Sequence, residues 1–318
     1  MKYRKLGRAG VKVSEISLGS YFSYGSVVEK ETAFKTIDKA YELGVNFFDS
    51  ANVYDFGVAE QVLGEALAKY DRSSYVLATK VFFPMGDKPN DRGLSRKHIM
   101  EQAEGSLKRL NTDYLDIYYC HRFDTETPLE ESLRALDDLM RQGKIMYVGV
   151  SEWTSAQIEK AIRIADHYLL DRIVVNQPQY SLLNRIVEND VFATSEAYGI
   201  GQVVFQPIAQ GVLSGKYRSI HDFPTGSRIT NDKINMHIKR YFRQETIDKV
   251  LKLIEMADGL GITTAQLALA WVLRKEIVSS ALIGASSPKQ IEENVKASGV
   301  KLPADILAEL DELFTETI

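Results

Sequence analysis

Val45-Asn46-Phe47-Phe48-Asp49-Ser50-Ala51-Asn52-Val53-Tyr54 is the stretch on which the fold turns. A short apolar run ends on a carboxylate, and a phenol follows just beyond it. The form recurs: Val76-Leu77-Ala78-Thr79-Lys80 ends on an amine, and Tyr114-Leu115-Asp116-Ile117-Tyr118-Tyr119-Cys120-His121 ends on an imidazole. Such runs, apolar rather than alternating, are expected of parallel strands covered on both faces. Ile16–Gly19, Ile145–Ser151, Ile173–Gln177, Gln202–Pro207 and Val278–Ile283 read the same way, with helical patterns between them. Strand–helix units in this number predict a closed (β/α)8 barrel of the α/β class rather than a doubly wound sheet. Polar residues at the carboxyl ends of barrel strands gather on the catalytic face. Asp49, Lys80 and His121 should therefore meet there, with Tyr54 in the loop after the first of these strands.

Punctuation along the chain supports the alternation. Thr127-Pro128-Leu129-Glu130 and Ser287-Pro288-Lys289-Gln290 each place a hydroxyl at N-cap, proline at N1 and Glu or Gln at N3. Thr154 with Gln157 and Thr263 with Gln266 repeat the capping-box spacing, and Gly44 and Gly143 read as helix stops. Residues 2–14 predict a β-hairpin around Arg8-Ala9-Gly10 before the first barrel strand, and 303–315 an extra C-terminal helix. The longest irregular stretch, about 208–236, reads as a functional or disordered loop with few apolar anchors. No Gly/Ser or Pro-rich linker divides the chain, so residues 1–318 are expected to form a single barrel domain.

Composition bounds the partners. A net charge of −4 and a pI near 5.8 argue against nucleic acid or an anionic membrane as the main partner. The single cysteine, Cys120, permits no internal disulfide and suits a reducing cytoplasm. Met1-Lys2-Tyr3-Arg4-Lys5-Leu6-Gly7-Arg8 lacks the apolar core of a signal peptide, and no apolar run approaches the ~18 residues needed to cross a bilayer. The five histidines show no metal-ligand spacing.

The strand-end groups form a proton-donating set. A phenol has a pKa of about 10, and a nearby ammonium favours its ionised form. Lys80 can supply that ammonium, Asp49 its counter-charge, and His121 a hydrogen bond to the same substrate oxygen. Singly, each has a plainer reading: Tyr54 as packing, Asp49–Lys80 as a structural ion pair, His121 as a satisfied strand-end histidine. Together at strand ends they point to catalysis. Cys120 precedes His121 on a strand and faces the other way, so a thiol–imidazole pair is not expected. Gly211-Val212-Leu213-Ser214-Gly215-Lys216 is not a nucleotide P-loop, because Gln210 and Tyr217 stand where that motif needs glycine and a serine or threonine.

Here the chain resembles the aldo-keto reductases. Phe48-Asp49-Ser50-Ala51-Asn52-Val53-Tyr54, Thr79-Lys80 and His121 match that family's signature positions over essentially the whole chain. Four further segments resemble the branch of potassium-channel beta subunits and their bacterial enzyme relatives: Gly93 to Ile99, Gly149-Val150-Ser151-Glu152-Trp153, Ala209 to Tyr217, and Gly284-Ala285-Ser286-Ser287.

The resemblance implies NADPH lying extended across the barrel mouth, with hydride from nicotinamide and a proton from Tyr54. Ser151 and Gln177 match residues that hold the carboxamide, while Glu152 stands where the family often has Asn. Phe205 matches the aromatic that stacks on the nicotinamide. Lys216 and Arg228 match cofactor-phosphate residues, and Ser286, Gln290, Glu293 and Asn294 the adenosine end. Gln290 could equally be N3 of a capping box. Ser20, Tyr21, Gln206, Pro207, Ile208, Gly211 and Gly284 complete the implied cofactor surface. Tyr21, Phe82, Phe83 and Trp153 are candidate substrate-pocket walls, with core packing as the alternative for each. Arg122 either meets an anionic substrate or pairs at the surface. Two readings follow: an NADPH-dependent reductase of aldehydes, less readily of ketones, or a cofactor-binding regulatory subunit of a membrane ion channel. Channel subunits of the branch carry asparagine where this chain has His121, which favours the enzyme. The branch also implies a homo-oligomer, a tetramer.

Overall fold

Because strand side chains alternate, each apolar run of this chain feeds two cores at once. The computed structural model describes residues 1–21, 24, 27–232 and 234–315; residue 233, in the long loop named above, lies outside the described residues. An antiparallel hairpin of β1 (Tyr3–Lys5) and β2 (Lys12–Ser14) comes first. β3 (Ile16–Gly19), β4 (Phe47–Asp49), β5 (Val76–Val81), β6 (Leu115–Cys120), β7 (Ile145–Ser151), β8 (Val175–Gln177), β9 (Gly201–Phe205) and β10 (Val278–Ile283) then close into a parallel barrel, with β10 pairing back onto β3. Around it run α1 (Lys30–Glu42), α2 (Val58–Leu67), α3 (Arg96–Leu110), α4 (Leu129–Arg141), α5 (Ser155–Tyr168), α6 (Val191–Tyr198), α7 (Gln244–Gly259), α8 (Thr264–Leu273) and α9 (Pro288–Asn294). The chain is a (β/α)8 barrel with an N-terminal hairpin, and α10 (Ala304–Leu313) supplies the expected extra helix.

Phe47, Ala78, Ile117, Tyr119, Val175, Val203 and Leu282 fill the barrel interior, while Phe48, Leu77, Tyr118, Val150 and Val204 pack outward against the helices. Leu6 and Val13 of the hairpin join the interior set. Gly7, at φ +58°, lies against the backbone of Gly199 to Gly201 with no room for a Cβ. Arg4 fastens the hairpin by donating to the carbonyls of Leu273 (2.8 Å), Lys275 (3.1 Å) and Val278 (2.8 Å).

Several local expectations hold and others do not. Thr154 with Gln157 and Thr263 with Gln266 form full capping boxes. Gly44 and Gly143 follow the ends of α1 and α4 at φ +85° and +70°. β4 starts at Phe47 rather than Val45, because the Val45 N–H is spent on Ala40 O at the end of α1 (3.0 Å). Thr127 does not cap α4. Its hydroxyl donates to Asp124 Oδ2 at 2.8 Å, which leaves Pro128 at the N-cap position.

The long irregular segment is also better anchored than expected. Ala209, Val212, Leu213 and Tyr217 are fully buried, and Ile238 and Tyr241 anchor its far end. Only about residues 218–232 run largely exposed. Among the described residues no single helix is long and apolar enough to cross a membrane. α7 with α8 would suffice by length and composition, but the pair bends by 91°.

Candidate active site

The two-residue period that puts Phe47, Ala78, Tyr119 and Val175 inside the barrel also puts Asp49, Lys80, His121 and Gln177 inside it, one step nearer the carboxyl end. Ser151 and Phe205 lie at the corresponding ends of β7 and β9. Gly149 lets this layer close: a Cβ there would collide with the Tyr119 ring beneath the site. After β4 the chain stays laced to β5, with Ser50 N–H donating to Ala78 O (2.9 Å) and Asn52 N–H to Lys80 O (3.2 Å). A tight turn follows, in which Asp55, Phe56 and Gly57 all take left-handed φ values (48°, 49° and 93°). That turn folds Tyr54 back over Lys80.

The Lys80 ammonium is fully buried and saturated. It is ion-paired to Asp49 Oδ1, donates to Ser50 O at 2.7 Å, and lies 3.3 Å from the Tyr54 hydroxyl. Gln177 Nε2 donates to the other Asp49 oxygen at 3.0 Å. Burial pushes the Asp49 carboxyl up and the Lys80 ammonium down, and each charge opposes that shift in its partner. The Tyr54 phenol is not acidified here, contrary to the expectation from sequence. Burial first, and the Asp49 charge second, push it well above the ordinary tyrosine range. Tyr54 is therefore held as the neutral phenol, the form that carries a proton to give.

His121 is buried, and its Nδ1 has no hydrogen-bond partner among the described residues. Burial, then Lys80, then Arg122, hold its imidazole neutral by driving its pKa well below the usual value. The Tyr54 and His121 rings meet edge to face at 5.7 Å, Phe83 lies 4.9 Å from His121, and Tyr21 lies 4.8 Å from Tyr54. Phe82 packs edge-on to Phe83 and against the outer core. Trp153, only 2% exposed, sits in that core edge-on to Phe123, so the packing alternative fits it better than a pocket wall. Cys120 is likewise buried outward, its thiol pushed up to about 12 by burial.

The outer residues implied by resemblance form an arc around this cluster. Ser151 Oγ donates to Gln177 O (2.8 Å), and Ser20 Oγ to Ser50 Oγ (2.9 Å). Glu152, at φ +58°, accepts from Gln179 N–H at 2.6 Å. Phe205 is half-buried at the end of β9, and Gln206, Pro207 and Ile208 carry the chain into the turn at Gly211. Arg228 lies near enough to lower the Lys216 pKa, and burial is the first cause of the lowering at both. Gln290 does not complete a capping box with Ser287. Its Oε1 instead accepts from Ser286 N–H (2.9 Å) and Ser286 Oγ (3.3 Å), beside exposed Gly284. Asn294 is buried, while Glu293 pairs with Lys296.

One support was overlooked in the sequence. Glu60, fully buried, accepts from Thr79 Oγ1 (2.5 Å) and pairs with Arg109 (2.6 Å) directly behind Lys80. Its signal was a carboxylate inside the apolar face Val58-Ala59-Glu60-Gln61-Val62-Leu63.

A barrel with an amine, carboxylate, phenol and imidazole converging at its mouth defines a class of site before any comparison is made. Residues 15–314 match the aldo/keto reductase family. The chain belongs to that family, one of oxidoreductases that generally bind NAD(P)H. A putative voltage-gated potassium channel subunit beta of Schizosaccharomyces pombe is 41% identical over 324 residues, covering 99% of this chain and 94% of that protein. Probable voltage-gated potassium channel subunits beta of Oryza sativa subsp. japonica and Arabidopsis thaliana are each 41% identical over 303 residues, covering 94% of this chain and 92% of those proteins.

Proposed function

We propose that this chain is an NADPH-dependent reductase of aldehydes, and less readily of ketones, working as a single domain. The observation that carries the reading is Lys80 Nζ held between Asp49 and the Tyr54 hydroxyl, with neutral His121 beside the phenol. Tyr54 gives its proton to the carbonyl oxygen. His121 donates a hydrogen bond to that oxygen and orients it. Lys80 steadies the phenolate left behind, and Asp49, held by Gln177, keeps Lys80 charged and in place. NADPH, when bound, supplies the hydride.

The residues present fit such a cofactor. Lys216 and Arg228 are two cations near one another with no carboxylate partner among the described residues, an arrangement that a phosphate would relieve. Phe205 offers a ring face for the nicotinamide, and Ser151 Oγ keeps its acceptor lone pairs for the carboxamide. Ser286, Gln290, Glu293 and Asn294 would meet the adenosine end, with Ser20, Tyr21, Gln206 to Ile208, Gly211 and Gly284 along its path. Purified protein should oxidise NADPH in the presence of 4-nitrobenzaldehyde or methylglyoxal. Binding of the cofactor without turnover of either aldehyde would instead support the second reading.

That second reading, a regulatory subunit on a membrane channel, rests on the names of the relatives. A cytoplasmic homo-oligomer, a tetramer, would suit either reading, and light scattering coupled to gel filtration reports it directly. His121 at the mouth favours the enzyme.

Two results should follow. kcat/KM for NADPH should exceed that for NADH, because Ser286, Gln290 and Arg228 offer donors and charge to one extra phosphate. Neither Ser286 nor Gln290 is charged, so the preference should be modest; equal or better use of NADH removes their role. Second, NADPH should slow hydrogen exchange in residues 218–232, the poorly anchored half of the loop that bears Arg228. Peptides from α3 and α4 should change little. Unaltered exchange at 218–232 would return Lys216 and Arg228 to the status of ordinary surface cations.

A further inference from the structure

Arg122 is the charge at the mouth that the proposed mechanism leaves unused. Its Nη1 donates to His121 O at 2.6 Å, and its guanidinium lies 5.5 Å from the Phe83 ring centroid. Phe83 is itself packed edge-on to His121, so these contacts hold the guanidinium beside the imidazole. Among the described residues no carboxylate pairs with it. Asp124, two residues on, is already satisfied by Leu94 N–H (2.7 Å), Glu126 N–H (2.9 Å) and Thr127 Oγ1 (2.8 Å). Asp49 is taken by Lys80 and Gln177. The surface ion-pair reading of Arg122 therefore fails here.

Arg122 shares the mouth with the phosphate-side Arg228, since both pull against the rise that burial gives the pKa of the Tyr21 phenol, but the two reach it from different strands. Lys216 and Arg228 follow β9, whereas Arg122 follows β6, with β7 and β8 between them around the closed barrel. Its bond to His121 O and its place over the Phe83 ring hold Arg122 on the side where the carbonyl would be oriented. A half-buried guanidinium with free N–H donors and no counter-charge is a receptor for a planar or tetrahedral oxyanion.

We infer that the preferred substrates are aldehydes carrying their own anion, a carboxylate or phosphate held by Arg122 while the carbonyl meets Tyr54 and His121. The inference rests on the reductase reading and specifies its substrate class.

The test uses matched pairs: 4-carboxybenzaldehyde against its methyl ester, and 4-formylphenyl phosphate against 4-methoxybenzaldehyde. Each pair is assayed with the full chain and NADPH, in the wild type, Arg122→Gln and Arg122→Lys. In the wild type kcat/KM should favour the anionic member of at least one pair by about tenfold or more, as charge-assisted hydrogen bonds allow. The pair showing the larger ratio identifies carboxylate or phosphate as the preferred anion. Arg122→Gln should collapse the ratio toward one, and Arg122→Lys should keep part of it, since lysine supplies charge without the fork. Ratios near one in the wild type, or equal ratios in all three proteins, overturn the inference while leaving the reductase reading intact. Calorimetric binding of 4-carboxybenzyl alcohol against 4-methoxybenzyl alcohol reads the same preference without turnover. If no aldehyde oxidises NADPH, the reductase reading falls, and calorimetry alone decides whether Arg122 is an anion receptor.

Discussion

Tyr54→Phe should lower kcat/KM for aldehyde reduction by about 10²–10⁴-fold, the usual worth of a positioned general acid, while NADPH still binds. The substitution removes one oxygen and keeps the ring that packs against Tyr21 and His121. The lost oxygen lies 3.3 Å from Lys80 Nζ, and that ammonium stays bonded to Asp49 and Ser50 O, so no buried charge is stranded. Melting temperature should therefore hardly move. Steady-state turnover with NADPH titration by fluorescence separates the two effects. Near wild-type turnover would remove Tyr54 as the proton donor.

Lys80→Met should abolish turnover as well, but with a different signature. Lys80 and Asp49 are both essentially fully buried, and methionine leaves the carboxylate with Gln177 as its remaining side-chain donor. Breaking a buried ion pair costs roughly 3–5 kcal/mol, so inactivity should come with a clearly lower melting temperature. The double substitution Lys80→Met with Asp49→Asn removes both charges and should recover much of the stability without the activity. Thermal unfolding of the three proteins, compared with NADPH oxidation, checks both parts. A stable, inactive Lys80→Met protein would mean that Asp49 is not the ion-pair partner that holds the site.

Much of this was legible because barrel chemistry follows strand periodicity. The bounds Ile16–Gly19, Ile145–Ser151 and Val278–Ile283 could be read from runs that are mostly apolar, since burial on both faces leaves only small serines, Ser17, Ser279 and Ser280, inside them. Asp49, Lys80 and His121 were visible because each breaks such a run at its end. Residues acting at a distance were not. That Gln177 holds Asp49, and that Glu60 ties Thr79 to Arg109, depends on contacts between residues 128, 19 and 49 positions apart. The caps show the same limit on a smaller scale. Thr154 and Thr263 cap as spaced, but Thr127 donates to Asp124, a carboxylate that the N–H groups of Leu94 and Glu126 hold beside it.

The order of apolar runs by itself determined that the chain closes into a barrel and which polar groups stand at its mouth. Alternation along a strand is local, and a strand buried on both faces has few other places to go. The tertiary structure alone decided the electrostatic state of those groups. From sequence, a lysine beside a tyrosine reads as an acidified phenol. In the folded chain, burial and then the Asp49 charge raise the Tyr54 pKa against the opposing pull of Arg122, and Tyr54 keeps its proton. It also decided that Arg122 has no counter-charge among the described residues, because whether a guanidinium finds a carboxylate depends on which loops the closed barrel brings alongside it.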